Sequence, residues 1–266
     1  PSIMASGILT AMSFMVSPIP TVLLPAFSKM NEEGGRSKLE TAFRASVKYS
    51  SLIIVPITLW IMVMSKPLIY ALFGQKYSQA PIFLTLASIT QLFCLFGALS
   101  SNTLLASQGN TKAIMNSWII TLSVGIPASL FLIPRFGIYG LIMMNIFTIL
   151  LTIVLFDYAI YRNYGFTIDF NSSVRILLAS LCMAGIVWLM RKLFSFPFSL
   201  VELLVGGLIG AVAYLFLLPA FGAVGHEDLR NLREIAHGLG KLEAPVVFLL
   251  KIIEFFRKTL WRVSLR

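Results

Sequence analysis

Few residues in this chain are of a type that does chemistry, and none stands in a pattern that chemistry requires. His226 and His237 do not fit the H-E-x-x-H spacing of a zinc hydrolase, and no Cys or Asp cluster accompanies them. Cys94 and Cys182 lie inside apolar runs without C-x-x-C spacing, which reads as packing rather than a disulfide or a metal site. The sequence has no G-x-S-x-G nucleophile elbow, no Walker lysine and no D-x-D of the nucleotide-sugar type. No enzymatic activity, metal or cofactor is therefore expected, and ATP-driven work would need a nucleotide site on another chain. Polar side chains inside apolar runs remain, and those are the default functional candidates at membrane depth. Gln91, Asn102, Asn116 and Asn145 each read as interhelical hydrogen-bonding groups or as substrate contacts. Asp157 reads as an ion-pair partner of nearby Arg162, or as a proton relay. Glu202 reads as an interfacial residue, or as a coupling site.

The elements that must position these residues are membrane spans. The chain is 58% hydrophobic and 12% charged, with a mean hydropathy of +0.87, too few charges to cover a water-soluble fold of this length. Its net charge of +10 does not indicate nucleic acid, because the basic residues flank apolar runs and form no polar face. About 20 apolar residues cross the ~30 Å hydrocarbon layer, and about seven such spans are expected: Ile3–Phe27, Tyr49–Ser65, Ala80–Leu105, Ala113–Ile133, Phe136–Phe156, Ile176–Met190 and Leu203–Phe221. Pro18, Pro20 and Pro25 should kink or break the first; broken helices of this kind serve transporters as hinges or substrate sites, and a bend for packing is the plainer reading. The stretch Asn31–Lys48 reads as an amphipathic interfacial helix running into the second span. Gly206-x-x-x-Gly210 reads as a close helix contact. From Glu227 the character changes to a soluble helix and then, from Pro245, to an amphipathic basic tail suited to a membrane surface.

Charge sets the orientation. Of the 21 lysines and arginines, Lys66, Lys76, Arg135, Arg191 and Lys192 fall on one side, and all the others on the side of the C-terminal tail. The positive-inside rule then makes the tail cytoplasmic and Pro1 external in a multi-pass protein of the cell membrane. The apolar run begins at once, with no charged region before it, which excludes a signal peptide and reads as the interior of a longer protein.

Several junctions between spans form a recognisable order. Leu24-Pro25-Ala26-Phe27-Ser28 precedes a charged loop with Gly34-Gly35. Lys66-Pro67-Leu68-Ile69 leads to Leu72-Phe73-Gly74-Gln75-Lys76-Tyr77. Ser107-Gln108-Gly109-Asn110-Thr111-Lys112 precedes the fourth span, and Ile133-Pro134-Arg135-Phe136-Gly137-Ile138-Tyr139-Gly140 opens the fifth. Over residues 1–161 this order resembles the C-terminal half of polysaccharide-biosynthesis flippases of the multidrug/oligosaccharidyl-lipid/polysaccharide (MOP) exporter superfamily. The resemblance implies an all-α polytopic membrane protein: a second-lobe bundle over residues 1–161, two additional transmembrane helices over 162–225, and a cytoplasmic amphipathic tail over 226–266. It implies flipping of a polyprenyl- or dolichyl-linked glycan from the cytoplasmic to the outer face, among membrane lipids, by a transporter whose N-terminal half is missing here. The isolated chain is then expected to transport nothing alone. Arg44 and Lys48, at the mouth of the second span, are placed to receive the lipid phosphate or to anchor the membrane surface. A drug or cation antiporter of the same superfamily is the alternative, which would call for a buried carboxylate in a span; an integral-membrane glycosyl- or acyltransferase comes after it.

Overall fold

The computed structural model describes Phe27, residues 35–74, 76–194 and 198–237, and, near the C-terminus, Leu250, Lys251, Ile253, Glu254 and Phe256. The first expected span, apart from Phe27, and the hinge prolines Pro18, Pro20 and Pro25 lie outside these residues. The described residues are helical and contain no strand: α1 (Gly35–Val63), α2 (Ser65–Phe73), α3 (Ala80–Ser88), a 3-10 segment (Ile89–Phe96), α4 (Ser100–Ser107), α5 (Thr111–Phe136), α6 (Ile138–Tyr164), α7 (Phe170–Leu193), α8 (Ser199–Ala220) and α9 (His226–His237). Five of them, α1, α5, α6, α7 and α8, are long and apolar enough to cross a membrane, and the bent path from α3 through α4 makes a sixth if it is one span. The chain is a multi-pass α-helical membrane protein. It forms two compact units, residues 1–173 and 174–266.

In the first unit α1 is the most enclosed of the described helices long enough to span. Leu39, Phe43, Val47, Ile54, Val55, Leu59 and Ile61 recur at helical spacing and are buried. The stretch expected to run into the second span does so: from Gly35 the two form one continuous helix, and buried Pro56 does not interrupt it. At one end of the unit, Leu39, Phe43 and Val47 join Phe27, Leu104, Leu105, Phe156, Ile160, Phe166 and Ile168 in one apolar cluster. At the other, Ile61, Ile69, Ala80 and Leu84 form a smaller one.

The third expected span, read as one helix over Ala80–Leu105, is broken: the two arms meet at 49°. Thr90 Oγ1 donates back to Ala87 O and Ser88 Oγ to Leu84 O, local bonds that compete with the α-helical ladder. Gly97 then takes a left-handed conformation (φ 73°) that closes the 3-10 turns. The fifth span also starts later than expected. Ile133-Pro134-Arg135-Phe136 finishes α5, and the turn falls at Gly137 (φ 56°). The hairpin of α5 and α6 is closely packed: Ser117, Thr121 and Gly125 make a buried small-residue stripe, and Thr121 Oγ1 lies 3.2 Å from Thr152 Oγ1.

In the second unit, Gly206 and Gly210 lie buried on α8. Arg175 Nη1 donates to Gly222 O at 3.1 Å. Asp228 accepts from Gly225 N at 2.7 Å and so starts α9. The described tail residues are helical; Leu250 and Ile253 are buried, Phe256 meets Phe216 edge-on at 5.4 Å, and Arg233 pairs with Glu254 at 3.1 Å.

Candidate functional site

Arg36, Glu40, Arg44 and Lys48 follow one another at four-residue intervals and so share a stripe on α1. Each is more than a point charge. Arg44 Nη2 pairs with Glu40 at 2.7 Å, and its Nε donates to Thr167 O at 3.2 Å across to the α6–α7 connection. The Arg36 guanidinium packs over Gly165 (φ 69°), its Cζ 3.1 Å from where a Cβ would stand, and makes no hydrogen bond or ion pair among the described residues. Lys48 is half-buried. It stands fifteen residues before Val63, about 22 Å along the axis of α1. The two candidate phosphate contacts thus share a face, with Arg44 also strapping the connection at residues 165–169.

That connection is built to stay in place. Phe166 stacks at 5.7 Å on Phe43, Ile168 is buried, and Asp169 caps α7 through Asn171 N, Ser172 N and Ser172 Oγ. The Ser172 hydroxyl, then the two backbone N–H groups and nearby Arg44, outweigh partial burial and hold the Asp169 carboxyl below its usual range. A carboxyl depressed in the folded state stabilises the fold above its unfolded value near 4, and the stabilisation fades as pH falls through the folded value. Thermal unfolding followed from pH 7 down to pH 3 should therefore show a loss of midpoint below about pH 4 that Asp169→Asn reduces; parallel profiles would refute it.

The four amide candidates do not converge. Gln91 lies in the 3-10 segment, half-buried; Asn102 on α4 and Asn116 on α5 are exposed; Asn145 on α6 is half-buried. None of their side chains hydrogen-bonds to another described residue. Asp157 also departs from expectation. Its partner is not Arg162 but Ser101, whose Oγ donates to Asp157 Oδ1 at 2.8 Å from α4 to α6. Asp157 stands seven residues before the end of α6, about 10 Å inward, one turn beyond buried Leu104, Leu105 and Ile160. Glu202 is tied to Arg191 at 2.6 Å, joining the end of α7 to the start of α8. A sequence signal existed for that pair, opposite charges on either side of a short turn. Nothing in the spacing pointed to Ser101, because the contact depends on the break at Gly97. Metal-type clusters of His, Cys, Asp or Glu are absent among the described residues.

Fold and site together define a membrane-embedded helical bundle with a cationic stripe and amides in apolar helices. Residues 4–82 match a family model described as "Polysaccharide biosynthesis protein". The match supports a relationship with that family over a stretch that includes α1, α2 and the start of α3. A comparison with curated proteins finds no match.

Proposed function

We propose that the chain is part of a carrier that flips a lipid-linked oligosaccharide or polysaccharide precursor from the cytoplasmic to the outer face of the cell membrane. The observation that supports it is the set of four amides, Gln91, Asn102, Asn116 and Asn145, whose side chains have no hydrogen-bond partner among the described residues. An amide surrounded by hydrocarbon and left unpaired costs a few kcal/mol; a hydrated path that admits sugar hydroxyls removes that cost. The polysaccharide-biosynthesis match supports the substrate class. The stripe Arg36, Arg44 and Lys48 supplies charge-assisted donors for the lipid phosphate, with Arg36 outermost and Lys48 innermost. Arg44 has to exchange Glu40 for the incoming anion, which suits a transient contact. In this reading the chain binds and moves its substrate without chemical change, works with a further lobe of the same transporter, and keeps its tail in the cytoplasm.

Asp157 supports a second reading, because a carboxyl group inside a span is what the drug or cation antiporter alternative calls for. One experiment separates the two. In cells blocked in export of lipid-linked glycan, the intact transporter should restore surface glycan. Arg44→Ala with Lys48→Ala should lower the export rate about tenfold or more, the loss of one to two charge-assisted phosphate contacts. Asn102→Leu with Asn116→Leu should lower it without changing membrane abundance. Restored drug resistance without glycan export would establish the antiporter instead.

A further inference from the structure

The stripe on α1 lies at one end of the first unit; the other end carries a different pattern of cations. Arg135 Cζ lies 3.9 Å over the Phe131 ring, and Lys66 Nζ 5.7 Å over the Tyr70 ring. Both are pairs four residues apart on one helix, α5 and α2. The same pair recurs in the second unit on α7, where Lys192 Nζ lies 5.4 Å over Trp188. A ring below a cation holds it by its face and leaves the N–H groups open outward. Lys66, Arg135 and Lys192 are exposed, and none makes a hydrogen bond or ion pair with a described residue. Arg191, one residue from Lys192, is the contrast, since Glu202 takes it up.

The sequence explains why the first unit leaves these cations open. From Thr41 to Phe156 the chain has no Asp or Glu, yet it carries Arg44, Lys48, Lys66, Lys76, Lys112 and Arg135. The stretch that carries Lys66 and Arg135 holds no carboxylate of its own, so an anion from outside the protein can take that place. The surface around them is apolar: Phe131 is 54% and Leu130 72% exposed. Phe83 against Tyr139 at 5.4 Å ties α3 to the start of α6 at this same end. A partner that is apolar on one side and anionic at its edge meets both conditions.

We propose that this end of the first unit binds anionic phospholipid, with Arg135 on Phe131 and Lys66 on Tyr70 each holding a headgroup phosphate while the acyl chains cover the exposed α5 face. Arg135 presents the better site, because a guanidinium stacked by its face keeps a planar edge of N–H donors for two phosphate oxygens. The inference does not depend on the flippase reading, since it concerns bulk lipid and not cargo.

The test uses the full chain purified in a neutral detergent and titrated with short-chain phosphatidylglycerol or phosphatidylcholine, reading the thermal unfolding midpoint. Phosphatidylglycerol should raise the midpoint at concentrations where phosphatidylcholine does not. Lys66→Gln with Arg135→Gln should weaken that response roughly 30-fold in lipid concentration, at about a factor of five per juxtamembrane cation. Phe131→Leu leaves all charges in place and should weaken it by about fivefold through the lost stacking. Equal stabilisation by the two lipids would overturn the proposal, as would a wild-type response in the doubly substituted protein. A response to polyprenyl phosphate but not to phosphatidylglycerol would overturn it too, by making the surface a cargo site.

Discussion

Gly140→Ala should destabilise the α5–α6 hairpin by about 3 kcal/mol or more, the largest single-residue effect expected among the described residues. A Cβ on Gly140 would stand 2.8 Å from the Leu132 carbonyl carbon, closer still to its oxygen, and 3.2 Å from the Ile133 Cα. All three are backbone atoms, so no rotamer change relieves the clash. The two helices would have to separate beside Gly137, where the chain reverses at φ 56° and has least freedom to adjust. Overpacking of a well-packed contact costs about 1–3 kcal/mol when side chains yield; with backbone on both sides, the upper end or beyond is expected. Two other glycines calibrate the result. Gly125, in the same hairpin, faces Met144 Cε at 3.2 Å and Thr148 Cγ2 at 3.3 Å, side-chain ends that can give way. Gly125→Ala should therefore cost about 1 kcal/mol. Gly185 on α7 has nothing within 4 Å of the added atom, and Gly185→Ala should stabilise by about 0.5–1 kcal/mol through helix propensity. Unfolding in mixed micelles followed by far-ultraviolet circular dichroism ranks the three. A Gly140→Ala protein as stable as Gly125→Ala would mean that the helices do not approach as described.

The same close approach shows where sequence reasoning stops. The spans were legible because hydrocarbon demands long apolar runs with charge at their ends, so α1, α5, α6, α7 and α8 fall on five of the expected segments. Gly140 was visible only as part of a junction motif; its reason, the Leu132 carbonyl, belongs to the preceding helix. The break in the third span was hidden for a similar reason. Ile89–Phe96 is more apolar than most of the helices, and only Gly97 and the back-bonding hydroxyls of Ser88 and Thr90 argue for 3-10 turns. Candidate polar residues were easy to name, since few exist, but their partners were not. Arg162 stood near Asp157 in sequence, whereas Ser101, 56 residues away, is the group that reaches it. Charge ladders along one helix, such as Arg36, Glu40, Arg44 and Lys48, are legible in principle from a period of four. What the stripe faces, the connection at residues 165–169, required the fold.

Separating Ser101 from Asp157 should loosen the broken span, the second large effect. The hydroxyl is the one side chain among the described residues that donates to this carboxyl group, and Leu104, Leu105 and Ile160 shield the pair from the near end of the bundle. A buried acceptor deprived of its donor costs about 1–3 kcal/mol. Ser101→Ala should therefore destabilise by about 2 kcal/mol, although it removes one oxygen. Asp157→Asn keeps an amide oxygen where the carboxyl oxygen stood and should cost less; Asp157→Ala removes the acceptor and strands the hydroxyl. Ser101→Ala with Asp157→Ala should be little worse than Asp157→Ala alone, a coupling of about 1–2 kcal/mol in a double-mutant cycle. The position of the pair makes the result more than a stability measurement. Ser101 is in the first turn of α4, just past the 49° bend, and a Cβ on Gly97 would lie 2.9 Å from its Oγ. Beside it the buried Ser100 hydroxyl has no hydrogen-bond partner among the described residues, and the Ser101–Asp157 bond ties this turn to α6. Amide hydrogen exchange over residues 97–105 should rise in Ser101→Ala while exchange in α5 stays unchanged. Additive costs in the cycle, or exchange confined to wild-type rates, would show that the bend is held by apolar packing and that the serine–carboxyl bond is incidental to it.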